Sequence, residues 1–261
     1  MTRKLYNLAI FLTFSGIAFS QNLKEMYPKL GRSLDFDPKV AEQWEIADKI
    51  IDNIHWDFSK LTEDNKRFFK KINYDLEKKS EVSPGYYDVM GGGCCWYCGW
   101  GVDSISASSY LKSKYATINY LPENAHDMSF QNAWVPGGET NGIGEYLTYY
   151  FLQNSPRITK IIVANGYVKS KKAWVENSRV KKLKMYIDNK PYAILNLEDN
   201  RREQIFEFSP IGKGKHENTR WEDMKKLPKW SLKFEILEVY EGDWYNDVAI
   251  SEIYFDGIDV H

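Results

Sequence analysis

The chain has 261 residues, 43% of them hydrophobic and 27% charged, with a formal net charge of −1. That balance gives no reason to invoke nucleic acid or an anionic membrane as partner, and the length suits a soluble globular chain of one or two domains. The aromatic content is the unusual figure: at 15%, with 9 Trp and 18 Tyr, it exceeds what a core alone needs and points to rings on the surface, where they serve binding.

Met1 to Ser20 has the layout of an export signal. Arg3 and Lys4 form a basic start, Leu8 to Phe19 an apolar run, and Ala18-Phe19-Ser20 a small-x-small cleavage site before Gln21. The expected location is secreted, periplasmic or cell-surface. The apolar run is short for a membrane span, and no later stretch approaches the roughly 18 apolar residues that a spanning helix needs.

From Asp37 the periodicity is helical. Asp37 can cap, Pro38 suits the first helical position, and Val40, Trp44, Ala47, Ile51, Ile54 and Phe58 share one face. Thr62, followed by Glu63 and Asp64, caps a second helix that carries Phe68, Phe69, Ile72 and Leu76. Residues 21–80 are thus expected to form a helical hairpin whose apolar stripe is buried on a neighbouring domain or on another chain. His55, beside Trp56, has no evident partner and reads as a surface or partly buried histidine.

Residues 81–101 form a Gly- and Pro-rich linker that holds every cysteine: Cys94, Cys95 and Cys98, within GGGCCWYCGWG. Three thiols so close together cannot staple distant parts of a fold, so their chemistry is local. A local disulfide with one thiol left over is the simplest reading. Cys95-Trp96-Tyr97-Cys98 also has the C-x-x-C spacing of a redox motif, and a zinc site would need a further ligand such as His55 or His126.

From Val102 onward the pattern changes to short alternating runs. Ile161 and Val163; Leu183, Met185 and Ile187; Ala193, Leu195 and Leu197; Phe206 and Phe208; Leu232, Phe234 and Ile236; and Ala249, Ser251, Ile253 and Phe255 each put one apolar face opposite a wet one. Such runs, separated by turn-rich loops, predict a mainly β sandwich or barrel over residues 102–258 rather than a parallel α/β sheet.

Within this span AHDMSFQNAW (Ala125 to Trp134), GIGEY (Gly142 to Tyr146), NGY (Asn165 to Tyr167), NSRVKKL (Asn177 to Leu183), LED (Leu197 to Asp199) and DVAISEIYF (Asp247 to Phe255) occur in order. Together they resemble the NAD glycohydrolase translocation domain, a discoidin-like (coagulation-factor type C) jelly roll of the galactose-binding-domain-like kind, related to carbohydrate-binding modules. The resemblance implies a jelly-roll β-sandwich and a binding role. It does not extend to the first hundred residues.

A jelly roll offers ligands the loops at one end, because its strands are committed to ladder bonds and core. Three loops carry suitable chemistry: Pro136 to Gly142, Tyr167 to Asn177, and Tyr240 to Asp247. A sugar needs a flat apolar ring for its C–H face and amide, carboxylate or guanidinium groups for its hydroxyls. Trp174 and Trp244 are the candidate rings, with Tyr167, Asn177, Arg179 and Asp243 as polar partners. Both tryptophans could equally be packing residues, Arg179 could simply hold a loop, and Trp134 reads as core.

Related sugar-binding modules hold a structural calcium between a D-G-D-x-x-T-x-W loop and a late glutamate. The resemblance places that loop at Asp127 to Trp134 and the glutamate at Glu252. Met128, Ser129 and Asn132 stand where the pattern has Gly, Asp and Thr, which depletes both charge and turn geometry. Either Asp127 and Glu252 hold the ion weakly with some carbonyls, or Asp127 is an ordinary turn residue. No other cofactor is implied.

No G-x-S-x-G, H-E-x-x-H, P-loop or dinucleotide fingerprint occurs, and the residues ahead of the β domain are too few for a glycohydrolase domain. The reading that results is an exported, non-enzymatic protein that binds a glycan or cell-surface polysaccharide, with the hairpin available to a protein partner. Two alternatives stay open. One is a glycan hydrolase using loop carboxylates such as Glu139, Glu145, Asp243 and Asp247; the other is an adhesion or assembly subunit whose loops grip protein.

Overall fold

The computed structural model describes residues 23–72, 74, 85–90, 96–99, 101–115, 117–214 and 221–259. The export segment, Leu76, Cys94 and Cys95 lie outside the described residues. In chain order the strands and helices are β1 (Lys24–Met26), β2 (Lys29–Ser33), α1 (Pro38–Asn53), α2 (Glu63–Lys71), β3 (Val102–Ala107), β4 (Tyr146–Phe151) and β5 (Ile158–Asn165). There follow α3 (Lys171–Glu176), β6 (Ser178–Ile187), β7 (Lys190–Asn196), β8 (Arg202–Ile211), α4 (Trp221–Met224), β9 (Trp230–Tyr240) and β10 (Val248–Gly257).

The strands make a β-sandwich. One sheet runs β1-β7-β6-β9-β4-β3 and the other β2-β8-β5-β10, mostly antiparallel. Leu183, Met185, Leu195, Leu232 and Phe234 of the first sheet meet Ile161, Val163, Phe206, Ile253 and Phe255 of the second in one dry core. These are the apolar halves of the alternating runs, so the period of two in the sequence becomes the two inner faces. Trp134 is fully buried in the same core, its indole N–H donating to Ser109 O at 2.9 Å.

β10 departs from the simple alternation expected of it. Val248 and Ala249 pair in parallel with Ser178 and Arg179 of β6, and from Glu252 onward the strand pairs antiparallel with β5. At the crossing, Gly166 N–H donates to Ala249 O and Ser251 N–H to Gly166 O, while Ile250 exchanges both backbone bonds with Trp134. The inward set therefore shifts from Val248 and Ile250 to Ile253 and Phe255, and every residue from Val248 to Phe255 is buried. A strand that closes the corner between two sheets is covered on both faces, so no wet face survives.

The N-terminal region also differs from expectation. Residues 24–33 do not lead straight into helices; β1 lies parallel to β7 and β2 antiparallel to β8, adding an edge strand to each sheet. The link that follows is pinned to the sandwich. Arg32 Nε donates to Glu203 at 2.9 Å, Leu34 is fully buried beside Phe130 and Val168, and Arg201 donates to Asp35 and to Val168 O.

The helices then form as their sequence requires. Asp37 caps α1 by accepting from Lys39 N–H at 2.8 Å, with Pro38 in the first turn, and Thr62 caps α2 by accepting from Asn65 N–H at 3.2 Å. The apolar stripe expected to seek a neighbouring domain is instead largely consumed within the hairpin. Ala47, Ile51, Leu61, Phe69, Ile72 and Tyr74 form their own small core, with Trp44 against Tyr74 at 4.8 Å. The junction to the sandwich is aromatic: Phe36 contacts Phe130 at 5.3 Å and Tyr87 at 5.1 Å, and Tyr86 bridges Phe36 and Trp44. His55 is exposed.

Candidate functional site at the loop end of the sandwich

The stretch expected to be a long loop after β5 contains a helical turn and a half. Ser170 caps α3 by accepting from Ala173 N–H at 3.1 Å, and the helix carries Trp174 back over the sheet. Its indole N–H donates to Asn165 O at 2.9 Å and the Arg179 guanidinium lies 4.6 Å over its ring. Gly166, at φ +86°, is what lets the two side chains meet: a Cβ there would stand 2.6 Å from Arg179 Cγ and 2.8 Å from Trp174 Cδ1. Trp174 is half-buried and engaged on its polar edge, the geometry of a packing ring.

Arg179 is buried, and its donors are spent on structure. Nε and Nη2 form a fork to Asp199 at 3.0 and 2.8 Å, and Nη1 donates to the carbonyls of Asn177 and Glu241 at 3.1 Å each. One guanidinium thereby ties the end of α3 to the loop after β9. That loop leans on α3 elsewhere too. Asp243 N–H donates to Val175 O, and Trp244 and Tyr245 N–H both donate to Glu176 O. The result is that Asp243 and Trp244 are solvent-facing, Trp244 at 79% exposure, while Tyr245, at 52%, stands at the edge of a cleft.

This cleft, about 260 Å³, is lined by Leu111, Tyr120, Val135, Tyr167, Asn177, Tyr245 and Asp247. Burial raises the Tyr120 hydroxyl above the ordinary tyrosine range, and the neighbouring Tyr167, Asp247 and Tyr245 add to the shift. These four groups therefore converge on one space. Asn177 donates through Nδ2 to Ala173 O at 2.8 Å, which leaves its Oδ1 without a donor among the described residues. Of the six residues singled out in the sequence, Tyr167 and Asn177 line the cleft, Trp174 and Arg179 pack on one another and hold the loops beside it, and Asp243 and Trp244 face solvent without lining it. Tyr120 lies outside the loops singled out in the sequence, and Tyr245, though within the loop Tyr240 to Asp247, is not among its candidate residues. A tyrosine in an irregular loop carries no periodic or motif signal, and only the fold brings them together.

Tyr167 is shared with a second hollow of about 380 Å³, whose lining includes Pro38, Tyr87, Asn119, Gln131 and Lys169. Lys169 Nζ sits 4.1 Å from the Tyr167 ring centre and 2.9 Å from its hydroxyl. The loop at Pro136 to Gly142 lines neither hollow. Its neighbour Glu145 accepts from Ser108 and, at 2.8 Å, from Ser109.

Asp127 and Glu252 do come together, at the foot of the AHDMSFQNAW segment. Ser129 N–H donates to both, at 3.0 Å to Asp127 Oδ1 and 3.1 Å to Glu252 Oε1, and Asn132 Nδ2 donates to Asp127 Oδ2 at 2.7 Å. Of these four carboxyl oxygens, Glu252 Oε2 is the one buried without a donor among the described residues. Calcium takes about six to eight hard oxygens, whereas three of the four oxygens here already accept N–H bonds. Among the described residues no group of three or more Asp, Glu, His or Cys is placed to hold a metal. What remains for a proton or a cation is Glu252 Oε2. Burial, then the Asp127 carboxyl beside it, holds the Glu252 acid well above the ordinary carboxylate range.

Cys98 is exposed in the turn Trp96–Gly99. The aromatic residues of that motif face inward: Trp96 is buried against Phe151 and Phe255, and Tyr97 Oη accepts from Phe255 N–H at 2.8 Å. His126, a candidate zinc partner in the sequence, is half-buried between Tyr97, Tyr149 and Phe255, with Nδ1 2.8 Å from Ile253 O. Burial lowers its pKa to about 4.

The family model of the NAD glycohydrolase translocation F5/8 type C domain matches residues 96–256. None of the curated proteins compared matches the chain. Among solved structures, the family 32 carbohydrate-binding module of Clostridium perfringens NanJ, in complex with galactose, is 15% identical, with 58% of this chain and 91% of that one covered and a TM-score of 0.38. The paired family 32 modules of C. perfringens ZmpB are 11% identical over 87% of this chain and 55% of theirs, at a TM-score of 0.42. The mycobacterial arabinofuranosyltransferase AftD is 15% identical over 60% of this chain and only 10% of its own, at 0.38.

Proposed function

Because the chain belongs, through residues 96–256, to the family of the NAD glycohydrolase translocation F5/8 type C domain, we propose that it is an exported glycan-binding protein whose ligand enters the cleft between Tyr120, Tyr167 and Tyr245. The observation that carries the reading is the lining itself. Three aromatic rings converge with one amide and one carboxylate at the loop end of a rigid sandwich. Rings can take the C–H face of a pyranose, while Asn177 Oδ1, the Asp247 carboxylate and the tyrosine hydroxyls take its hydroxyls. Trp244, beside Tyr245 and largely exposed, extends the apolar rim.

The lining also favours binding over hydrolysis. Glycoside cleavage ordinarily uses two carboxylates that flank the bond. Asp247 is the single acid among the described residues that line the two hollows, and Glu145 is held by Ser108 and Ser109.

A glycan array probed with the chain from Gln21 to His261 tests the proposal. Saturable binding to a defined sugar class is expected, weakened about tenfold or more by Tyr245→Ala, which removes a half-exposed ring without opening the core. Asp247→Asn should weaken binding less. Absence of binding to every glycan would move the weight to a protein partner for the same surface.

A further inference from the structure

We infer that the hollow beside the tyrosine cleft is a second subsite for an anionic sugar unit, one bearing carboxylate or sulfate, with Lys169 as its counter-ion. The inference rests on the glycan-binding reading for the ligand being a sugar; its charge is argued from this hollow alone. Lys169 is half-buried, held over the Tyr167 ring at 4.1 Å, and no carboxylate pairs with it among the described residues. Some lysines of the β domain do have such partners, Lys160 with Asp256, Lys181 and Lys182 with Glu238, and Lys229 with Asp103; Lys184 and Lys233 lie over tyrosine rings as Lys169 does, but neither lines this hollow. A partly desolvated ammonium whose one close partner is a phenol gains more from an anion than a solvated one does.

The rest of the lining agrees. No Asp or Glu contributes to it, and the polar side chains of Asn119 and Gln131 have no partner among the described residues, which leaves amides free to bond hydroxyl or acid oxygens. Asp37, next to the lining residue Pro38, is turned to capping α1. At about 380 Å³ the space lies within the size range of small-ligand sites. Because Tyr167 walls both hollows, a glycan of two or more units can lay a neutral unit against Tyr120 and Tyr245 and an acidic one against Lys169.

One wall does not come from the jelly roll. Pro38 opens α1 and Tyr87 lies in the segment before β3, both ahead of the residues that the family model spans. The N-terminal region thus completes a subsite that residues 96–256 lack by themselves. Tyr87 is fixed there by Phe36, and its backbone oxygen accepts from Phe130 N–H at 2.7 Å.

The test is calorimetric titration of the whole chain with matched oligosaccharides: neutral, uronic-acid-bearing and sulfated. The expected result is acidic over neutral binding by about tenfold, weakening as salt is raised, with the uronate and sulfate arms showing which anion is preferred. Lys169→Gln should reduce the acidic ligands to the affinity of the neutral one, and Lys169→Arg should restore the preference. Tyr245→Ala should weaken all three and leave their ratio intact. Neutral and acidic ligands bound equally by the wild-type chain, or a preference that survives Lys169→Gln, would overturn the inference while leaving the glycan-binding reading in place. No binding to any of the three would sink that reading, and the subsite with it.

Discussion

Half-buried His126 and buried Glu252 are titratable residues with opposite effects on stability. His126 has a folded pKa of about 4 against an unfolded value near 6.5. As pH falls below the unfolded value, the unfolded chain takes up the proton first, so stability is lost between the two values, by about 3 kcal/mol if the shift is fully expressed. Glu252 runs the other way. Its folded pKa is raised, so the unfolded chain releases its proton first and stability is lost as pH climbs above the ordinary carboxylate range. In weakly acidic solution the two slopes oppose, and the wild-type chain should show a shallow dependence. Glu252→Gln should leave stability rising with pH between 4 and 6.5, and His126→Asn should leave it falling; urea midpoints across that window measure both. Arg179 makes a different kind of point. Arg179→Met removes a fork to Asp199 and two carbonyl bonds, and should cost about 2–4 kcal/mol. It should also abolish glycan binding from a distance, because Glu241 and Asn177 are no longer tied. A variant that unfolded at the wild-type urea concentration and bound normally would show that the fork holds nothing.

The hairpin of α1 and α2 has its own small core, joined to the sandwich through a cluster of rings. Phe69→Ala empties the centre of that core and should cost the hairpin about 3 kcal/mol. The loss should stay local. Hydrogen exchange is expected to speed up in residues 38–72 and to leave β5, β6 and β9 protected; equal acceleration throughout would mean that hairpin and sandwich unfold as one. How far each element was legible follows from its surroundings. β6 could be read because a strand with one wet face must alternate, and α1 because a cap, a proline and a stripe of period 3.6 all agree. β1 and β2 could not: three and five residues at sheet edges, mostly exposed, leave no pattern, and what places them is pairing with partners far along the chain. The site divides in the same way. The family motifs contain Arg179, Asp199 and Trp134, which prove to be framework, and also Tyr167, Asn177 and Asp247 of the cleft. Tyr120 and Tyr245 lie outside every motif, since a ring that faces solvent needs no particular neighbour in sequence.

For the molecule as a whole, the order in which strands pair differs greatly from the order in which they are made. β1 and β2 are among the first described residues, yet their partners β7 and β8 follow some 170 positions later, as the bond between Arg32 and Glu203 shows with a separation of 171. β10 is the last of the described strands, and among them it alone pairs with both sheets, through β6 and β5. A topology so rich in distant contacts folds slowly, since loops must close before contacts repay them. It also has a consequence for biosynthesis. While the ribosome is still at work, the two halves of the sandwich lack the strand that clasps them, and the earliest strands have nothing to pair with. The two sheets are therefore expected to close on one another only once residues 248–257 have emerged, whatever the earlier strands have paired with by then.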